Sequence, residues 1–328
     1  MRPAVAELAA WLKARDDIAI LTHLHPDGDA LGSSLALQIA LTRLGKRAFV
    51  CCQDEAPSFL SMLPLAGRLF RPGEMPFQPR AYLYCDCAAP SRTGEVEKVI
   101  SPSVEAAALD HHETSDPSLF PAAVIDPQAA AAGELADEVI GALGVGMDRD
   151  IALCLYVAVA TDTGGFAFDN TTPACLRLAA RCVEAGVRQG ELNFRLFREK
   201  SAARTRLLGA ALHAMRLEED GQIALICLRL SDFEACGADN ADTEGVVNYG
   251  IDCTGVRVAI LAVERPGGIA KFSLRSRGQD NVARMLEPLG GGGHINAAGV
   301  TIEKPFDEAV GLVLAAARAL LARGMEAQ

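Results

Sequence analysis

Through the first half of the chain, short apolar runs recur, and several end in residues able to bind a metal ion. The run "DIAILTH" closes on His23, "AYLYCD" on Asp86, and "EAAALD" on Asp110, with His111 and His112 directly behind. "RAFVCC" and "AAVID" are two further runs of this kind. Helical patterns stand among them, around 31–44, 130–143, 150–160 and 173–186. The alternation predicts an α/β domain on a largely parallel sheet. Ligands of such sheets gather at the carboxyl ends of the strands, so these residues are expected at one end.

The segment "THLHPDGDALGSS", Thr22 to Ser34, adds Asp27 and Asp29 to His23, and the apolar helix "LCLYVAVATDTGG" runs into Asp162. Turn chemistry accounts for "HPDGD" taken alone, since Pro fixes φ and Asp and Gly close turns. The whole set needs more. Acids and imidazoles without thiolate suit hard or borderline divalent ions, Mn²⁺ or Mg²⁺ foremost, with Zn²⁺ or Co²⁺ as alternatives. Carboxylates this crowded repel one another unless cations neutralise them, and a two-metal centre explains the crowding. Strand alternation turns Cys85 and Cys87 together away from Asp86 into the core. His25 is read as a histidine that faces solvent or stands behind the metal ligands, and not as a ligand itself.

At 328 residues the chain exceeds the usual size of one core, so two domains are expected. The pattern changes after residue 187, where 188–216 is Arg-rich and helical, and 217–328 is strand-rich again. "QIALICLRL", "VRVAILAVE" and "IAKFSLRS" read as strands, followed by a helix near 280–288, the run "GGGGHINAAG" and a last helix over 306–323. A net charge of −11 argues against a broad basic surface for long nucleic acid, while leaving room for a local anion pocket. Ten cysteines without a C-x-x-C pair read as reduced thiols of a cytoplasmic protein. The N-terminal stretch reads as an amphipathic helix, not a signal peptide, and no membrane span is expected.

His23, Pro26-Asp27, Asp29-Ala30, Gly32-Ser33, then Asp86, then Asp110-His111-His112, then Asp162 resemble, in order, the four motifs of the DHH phosphoesterases. "FSLRSRGQDNVARMLEPLGGGGHINAAG", Phe272 to Gly299, resembles the DHHA1 domain, and the length is similar to the stand-alone nanoRNase/pAp phosphatase type. The resemblance implies a DHH catalytic domain over 1–187, a helical linker over 188–216 and a smaller α/β DHHA1 domain over 217–328.

It also implies site residues. One metal falls to His23, Asp27 and Asp86, the other to Asp29, Asp86, His111 and Asp162, with Asp86 bridging. Asp110 and His112 take catalytic positions, Asp110 supporting a metal-bound imidazole and His112 touching substrate. Arg275, Gly291, Gly292, Gly293 and His294 are implied to hold a substrate phosphate. Arg92, on the loop after Asp86, is a further candidate contact. The implied enzyme carries two divalent ions, foremost Mn²⁺. It cuts oligoribonucleotides of a few residues to mononucleotides and acts as a 3′(2′),5′-bisphosphate nucleotidase on 3′-phosphoadenosine 5′-phosphate (pAp). Hydrolysis of cyclic or linear dinucleotides, a nucleotide sensor without turnover, and a homodimer stay open at this point.

Overall fold

The five apolar runs of the N-terminal half form one sheet of β1 (Ile18–Leu21), β2 (Ala48–Cys51), β3 (Ala81–Cys85), β4 (Ala106–Asp110) and β5 (Ala123–Ile125). Their order is β2-β1-β3-β4-β5 and every pair is parallel. Parallel strands are covered on both faces, so their sequences read as unbroken apolar runs, and β1 and β3 are buried at every residue. The computed structural model describes residues 2–326, and the chain divides after Glu199 into two units. Among the described residues no helix is long and apolar enough to cross a membrane.

On one face of the first sheet lie α1 (Pro3–Lys13), α2 (Gly28–Arg43) and α3 (Ala132–Leu143), and α4 (Arg149–Asp162) and α5 (Pro173–Glu184) pack on these helices. Ile18, Ile20, Leu83 and Leu109 point into that layer. On the other face Phe49, Tyr82 and Tyr84 pack under loop side chains, and the Phe49 ring meets Phe70 and Phe77 edge-on at 5.4 and 4.9 Å. α2 starts at Gly28, earlier than the expected 31, because Asp27 caps it and accepts from the N–H groups of Asp29 and Ala30 at 3.1 and 3.0 Å. The cap draws Asp29 into the first helical turn. α2 then lies against α4 through glycine: a Cβ on Gly32 would sit 2.4 Å from the Cys154 carbonyl oxygen, and one on Gly28 2.4 Å from the Thr161 side chain.

The stretch 188–216, expected as a linker, is divided between the units. α6 (Gln189–Asn193) and a π-helical turn at Phe194–Arg198 belong to the first, where Leu192 is buried in the core. α7 (Ala202–Ala214) belongs to the second and buries Leu207 and Ala211 there. So narrow an apolar stripe between arginines reads in sequence as a solvated helix.

The second unit holds a mixed six-stranded sheet of β6 (Arg216–Glu218), β7 (Ile223–Leu228), β8 (Val258–Arg265), β9 (Ile269–Ser276), β10 (Gly292–His294) and β11 (Ala297–Glu303). Its order is β10-β11-β9-β8-β7-β6, with only β7 and β8 parallel. The helices are α8 (Leu230–Cys236), α9 (Val246–Ile251), α10 (Val282–Leu286) and α11 (Phe306–Glu326). Ala270, Phe272 and Leu274 of β9 join one core with residues of α10 and α11, while Lys271, Ser273 and Arg275 alternate to the other face. On that other face α9 settles on β7 and β8 at Gly250, where an added Cβ would be 3.1 Å from the methyls of Ala224 and Ala259.

Candidate metal centre

Asp86 follows the end of β3 with φ +60°, a left-handed conformation that Asp tolerates better than most residues. The turn breaks strand alternation. Cys85 enters the core under the helices and Cys87 the core of the opposite face, not one shared face as alternation predicted. Burial pushes the Cys85 thiol up to about 12, so neither packing nor chemistry offers it as a metal ligand. Asp86 itself is buried between two imidazoles, with His23 Nε2 3.4 Å from Oδ2 and His111 Nε2 3.4 Å from Oδ1.

Both imidazoles are set by backbone carbonyls. His23 Nδ1 donates to the Leu24 carbonyl at 2.7 Å and His111 Nδ1 to the Ala129 carbonyl at 3.2 Å. Each ring, once it gives up its second proton, turns an Nε2 lone pair toward the carboxylates, the arrangement a metal-binding histidine needs. Three overlapping trios result, one of His23, Asp27 and Asp86, one of Asp29, His111 and Asp162, and one of Asp86, His111 and His112, each with one donor atom per residue within 4.8 Å of the others. His111 Nε2 stands 3.3 Å from Asp162 Oδ2 and 3.7 Å from Asp29 Oδ2.

Asp29 is fully buried and accepts from the N–H groups of Ala132 at 2.6 Å and Gly133 at 2.9 Å, in the first turn of α3. A Cβ at Gly133 would be 2.6 Å from the Ala158 methyl, so glycine is what lets α3 close on α4 here. α4 in turn ends on Asp162. Burial, then Asp86 and Asp162, push the Asp29 carboxyl well above the usual range. Burial also pushes Asp162 up to about 6, with Asp86 and Asp27 adding to it and His111 opposing. Burial disfavours a charged His111, but the carboxylates of Asp86, Asp29 and Asp162 outweigh it and raise the ring to about 10. Asp86, despite its burial, is held below the ordinary range by His111 and His23. Carboxyls pushed up and an imidazole held charged are what a surplus of buried negative charge does to its members.

The donor set fits divalent cations. Asp86 Oδ1 is buried without a hydrogen-bond partner, although imidazole nitrogens stand 3.4 and 3.6 Å away. A buried carboxylate oxygen left this way is strongly unfavourable unless a cation takes it. Carboxylate oxygens with two imidazole nitrogens suit Mn²⁺ and its neighbours.

Asp110 serves the adjacent ring. Its Oδ1 accepts from the His111 N–H at 2.8 Å and His112 Nδ1 at 2.7 Å, and its Oδ2 from the Ala88 N–H at 2.7 Å and the Ser115 hydroxyl. Both oxygens are therefore taken within the protein. Asp110 orients His112, while the support of His111 expected from it comes from the Ala129 carbonyl. His25 lies outside the cluster, exposed and 3.3 Å from Asp54. Arg92 is half-buried, and its carbonyl accepts from the Leu24 N–H at 2.8 Å, tying the loop after Asp86 to the His23 segment. The sequence reading missed Ala129, Ala132, Gly133 and Ser115; the first three act here through backbone groups, which leave no side-chain signal.

In the second unit His294 pairs across the sheet with Ala297, and Ala297 with Arg275. Direct cross-strand partners share a face, so Arg275 and His294 flank a methyl on one side of the sheet. Of the glycines before His294, Gly291 and Gly293 answer to the chain's own packing. A Cβ at Gly291 would meet the Leu286 Cβ at 2.7 Å, and one at Gly293, where φ is +144°, the Ala297 carbonyl at 2.4 Å. Around Gly292 there is open space.

Comparison with known proteins agrees with this architecture. The family model described as the DHH family, N-terminal domain, matches residues 17–159, and that of the DHHA1 domain matches 224–323. The bifunctional oligoribonuclease and PAP phosphatase NrnA of Thermus thermophilus is 37% identical over 322 residues, covering 96% of this chain and 94% of that protein. A crystal structure of an exopolyphosphatase-related protein from Bacteroides fragilis superposes with a TM-score of 0.85 at 25% identity over 96% of both chains. RecJ of Thermus thermophilus, solved in complex with Mn²⁺, shares the fold with a TM-score of 0.53 at 18% identity, over 98% of this chain and 55% of RecJ. With its DHH motifs gathered at the strand ends of one unit and a DHHA1 domain as the other, this chain belongs to the DHH phosphoesterase family.

Proposed function

We propose that this chain is a divalent-metal-dependent phosphohydrolase that degrades oligoribonucleotides of a few residues to mononucleotides and removes the 3′-phosphate of pAp. The observation that carries the reading is the buried Asp86 carboxylate, its Oδ1 unpartnered, held between His23 and His111, two imidazoles whose Nδ1–H groups are both committed to carbonyls. The likeness to NrnA over nearly its whole length supports the substrate class. His23, Asp27 and Asp86 would hold one ion, and Asp29, Asp86, His111 and Asp162 a second, Mn²⁺ foremost. Such ions supply Lewis acidity toward phosphoryl oxygens and lower the pKa of water.

The chain's own residues do the rest. Asp110 fixes the His112 ring through Nδ1, so that Nε2 meets a phosphoryl or leaving oxygen and, when protonated, donates to it. Arg275 supplies a guanidinium fork for a substrate phosphate, His294 a further donor, and the backbone at Gly292 an approach free of side chains. Gly291 and Gly293 shape that turn, and Arg92 adds a cation after Asp86. A short substrate needs only such local charge, which suits a chain of net charge −11. We place the protein in the cytoplasm, where ten free cysteines, seven of them buried, stay reduced.

The test is a comparison of initial rates for the Mn²⁺-loaded protein on dinucleotides, a 24-mer, pAp and cyclic di-AMP. Dinucleotides and pAp are expected to turn over fastest and EDTA to stop the reaction. Faster cleavage of the 24-mer or of cyclic di-AMP, or full activity in EDTA, overturns the reading.

A further inference from the structure

The segment after Asp162 is more tightly built than its glycines suggest. Thr163 Oγ1 bonds the Val159 carbonyl at 2.6 Å and accepts from the Phe166 N–H at 3.1 Å, and the Gly165 N–H bonds the Ala160 carbonyl at 2.7 Å. The N–H groups of Ala167 and Phe168 both reach the Thr163 carbonyl, at 2.9 and 3.0 Å. Asn170 closes the loop, its Nδ2 donating to the carbonyls of Asp162 at 3.1 Å and Ala130 at 3.2 Å. This rigid loop presents one large apolar side chain to solvent. Phe168 is 60% exposed, and its ring lies against Gly164, two residues from Asp162. A Cβ at Gly164 would come within 2.4 to 2.7 Å of three ring atoms, and the φ of +57° there also favours glycine.

Packing does not explain the ring, since most of it is in water. An exposed aromatic ring on a loop held at both ends can serve as a stacking platform, and every nucleobase presents a π-face to such a platform. The ring rests on Gly164, two residues beyond the metal-centre carboxylate of Asp162, and the loop that carries it is tied back to the Asp162 carbonyl by Asn170, so the platform belongs to the segment that leaves the centre. We infer that Phe168 forms a nucleobase subsite, stacking a base of the substrate and selecting nucleotides over phosphate esters without one. This inference rests on the function proposed above. It adds affinity that does not depend on further positive charge.

The test uses the full chain with Mn²⁺ and two competitors of pAp hydrolysis, AMP and ribose 5-phosphate, which differ by the base alone. In the natural protein AMP should inhibit more strongly. In Phe168→Leu the AMP inhibition constant and the KM for pAp should weaken by about 5- to 150-fold, the effect of losing one base–aromatic stack, while ribose 5-phosphate is unchanged. Phe168→Trp should restore the preference, and its fluorescence should be quenched by AMP and not by ribose 5-phosphate; the native Trp11, buried in α1, gives a constant background. Equal losses for both competitors, or an unchanged AMP preference in Phe168→Leu with no quenching in Phe168→Trp, overturn the subsite. Absence of any hydrolysis by the natural protein would instead sink the functional reading, and base-dependent quenching could still be measured.

Discussion

Gly32 on α2 lies so close to Cys154 on α4 that a single added methyl group would stand 2.4 Å from the Cys154 carbonyl oxygen. The contact bears on the metal centre because α2 carries Asp29 in its first turn and α4 ends on Asp162. Gly32→Ala is therefore expected to push the helices apart, destabilising the protein by about 1–3 kcal/mol, as overpacking of a tight core does. The separation should also weaken metal binding. Thermal unfolding with and without Mn²⁺ measures both effects; an unchanged melting temperature and metal response would show that the helices adjust around the methyl without loss.

Asp86→Asn keeps the shape of the side chain and the tolerance of a left-handed backbone, while removing the charge that stands between His23 and His111. Hydrolysis is expected to fall to background and the stabilisation by Mn²⁺ to be largely lost, with the metal-free protein still folded. Near-normal rates at saturating Mn²⁺ would remove Asp86 from the centre.

Much of this site was legible because its carboxylates and imidazoles stand at the ends of apolar strands buried on both faces, where both the strand and its terminal polar residue are conspicuous. His23, Asp86 and Asp110 were found that way, and the five strands with them. What orients them was not legible. The carbonyls of Leu24 and Ala129 and the N–H groups of Ala132 and Gly133 are backbone atoms, and residues of any type could supply them. The short strands β6 and β10 escaped notice because three residues give no alternation to read, and β11 because its first residues, Ala297 to Gly299, are small. The opposite cores taken by Cys85 and Cys87 follow from one dihedral angle at Asp86, which alternation cannot foresee.

Metal binding should strengthen as pH rises from 5 to 8. Asp162, raised to about 6, holds a proton below that pH, and His111, raised to about 10, holds one throughout the range in the metal-free protein. Both protons must leave when a cation takes those atoms, so binding is linked to proton release. The sign for the metal-free fold is opposite. A carboxyl whose folded pKa lies above its unfolded value disfavours folding as pH rises through that interval, so Asp162 makes the metal-free protein less stable at pH 6.5 than at pH 4.5, as far as this group is concerned. Calorimetry of Mn²⁺ binding in buffers of different ionisation enthalpy counts the protons. A binding constant independent of pH would contradict the assigned donors.

Arg275 and His294 flank Ala297 on one face of the second sheet, and neither is a proposed metal ligand. Replacing either with Ala should leave the stabilisation by Mn²⁺ intact. It should nevertheless lower kcat/KM for dinucleotides and pAp, since a charge-assisted phosphate contact contributes about 1.5–3 kcal/mol, or roughly 10- to 150-fold. Bis-p-nitrophenyl phosphate has no second phosphate to grip, so its hydrolysis should fall much less. The deciding quantity is the ratio of the two losses. A large ratio assigns these residues to substrate binding. Equal losses on both substrates would mean that they support the reaction at the metal centre itself, and the proposed division between a metal-holding and a phosphate-holding unit would have to be abandoned.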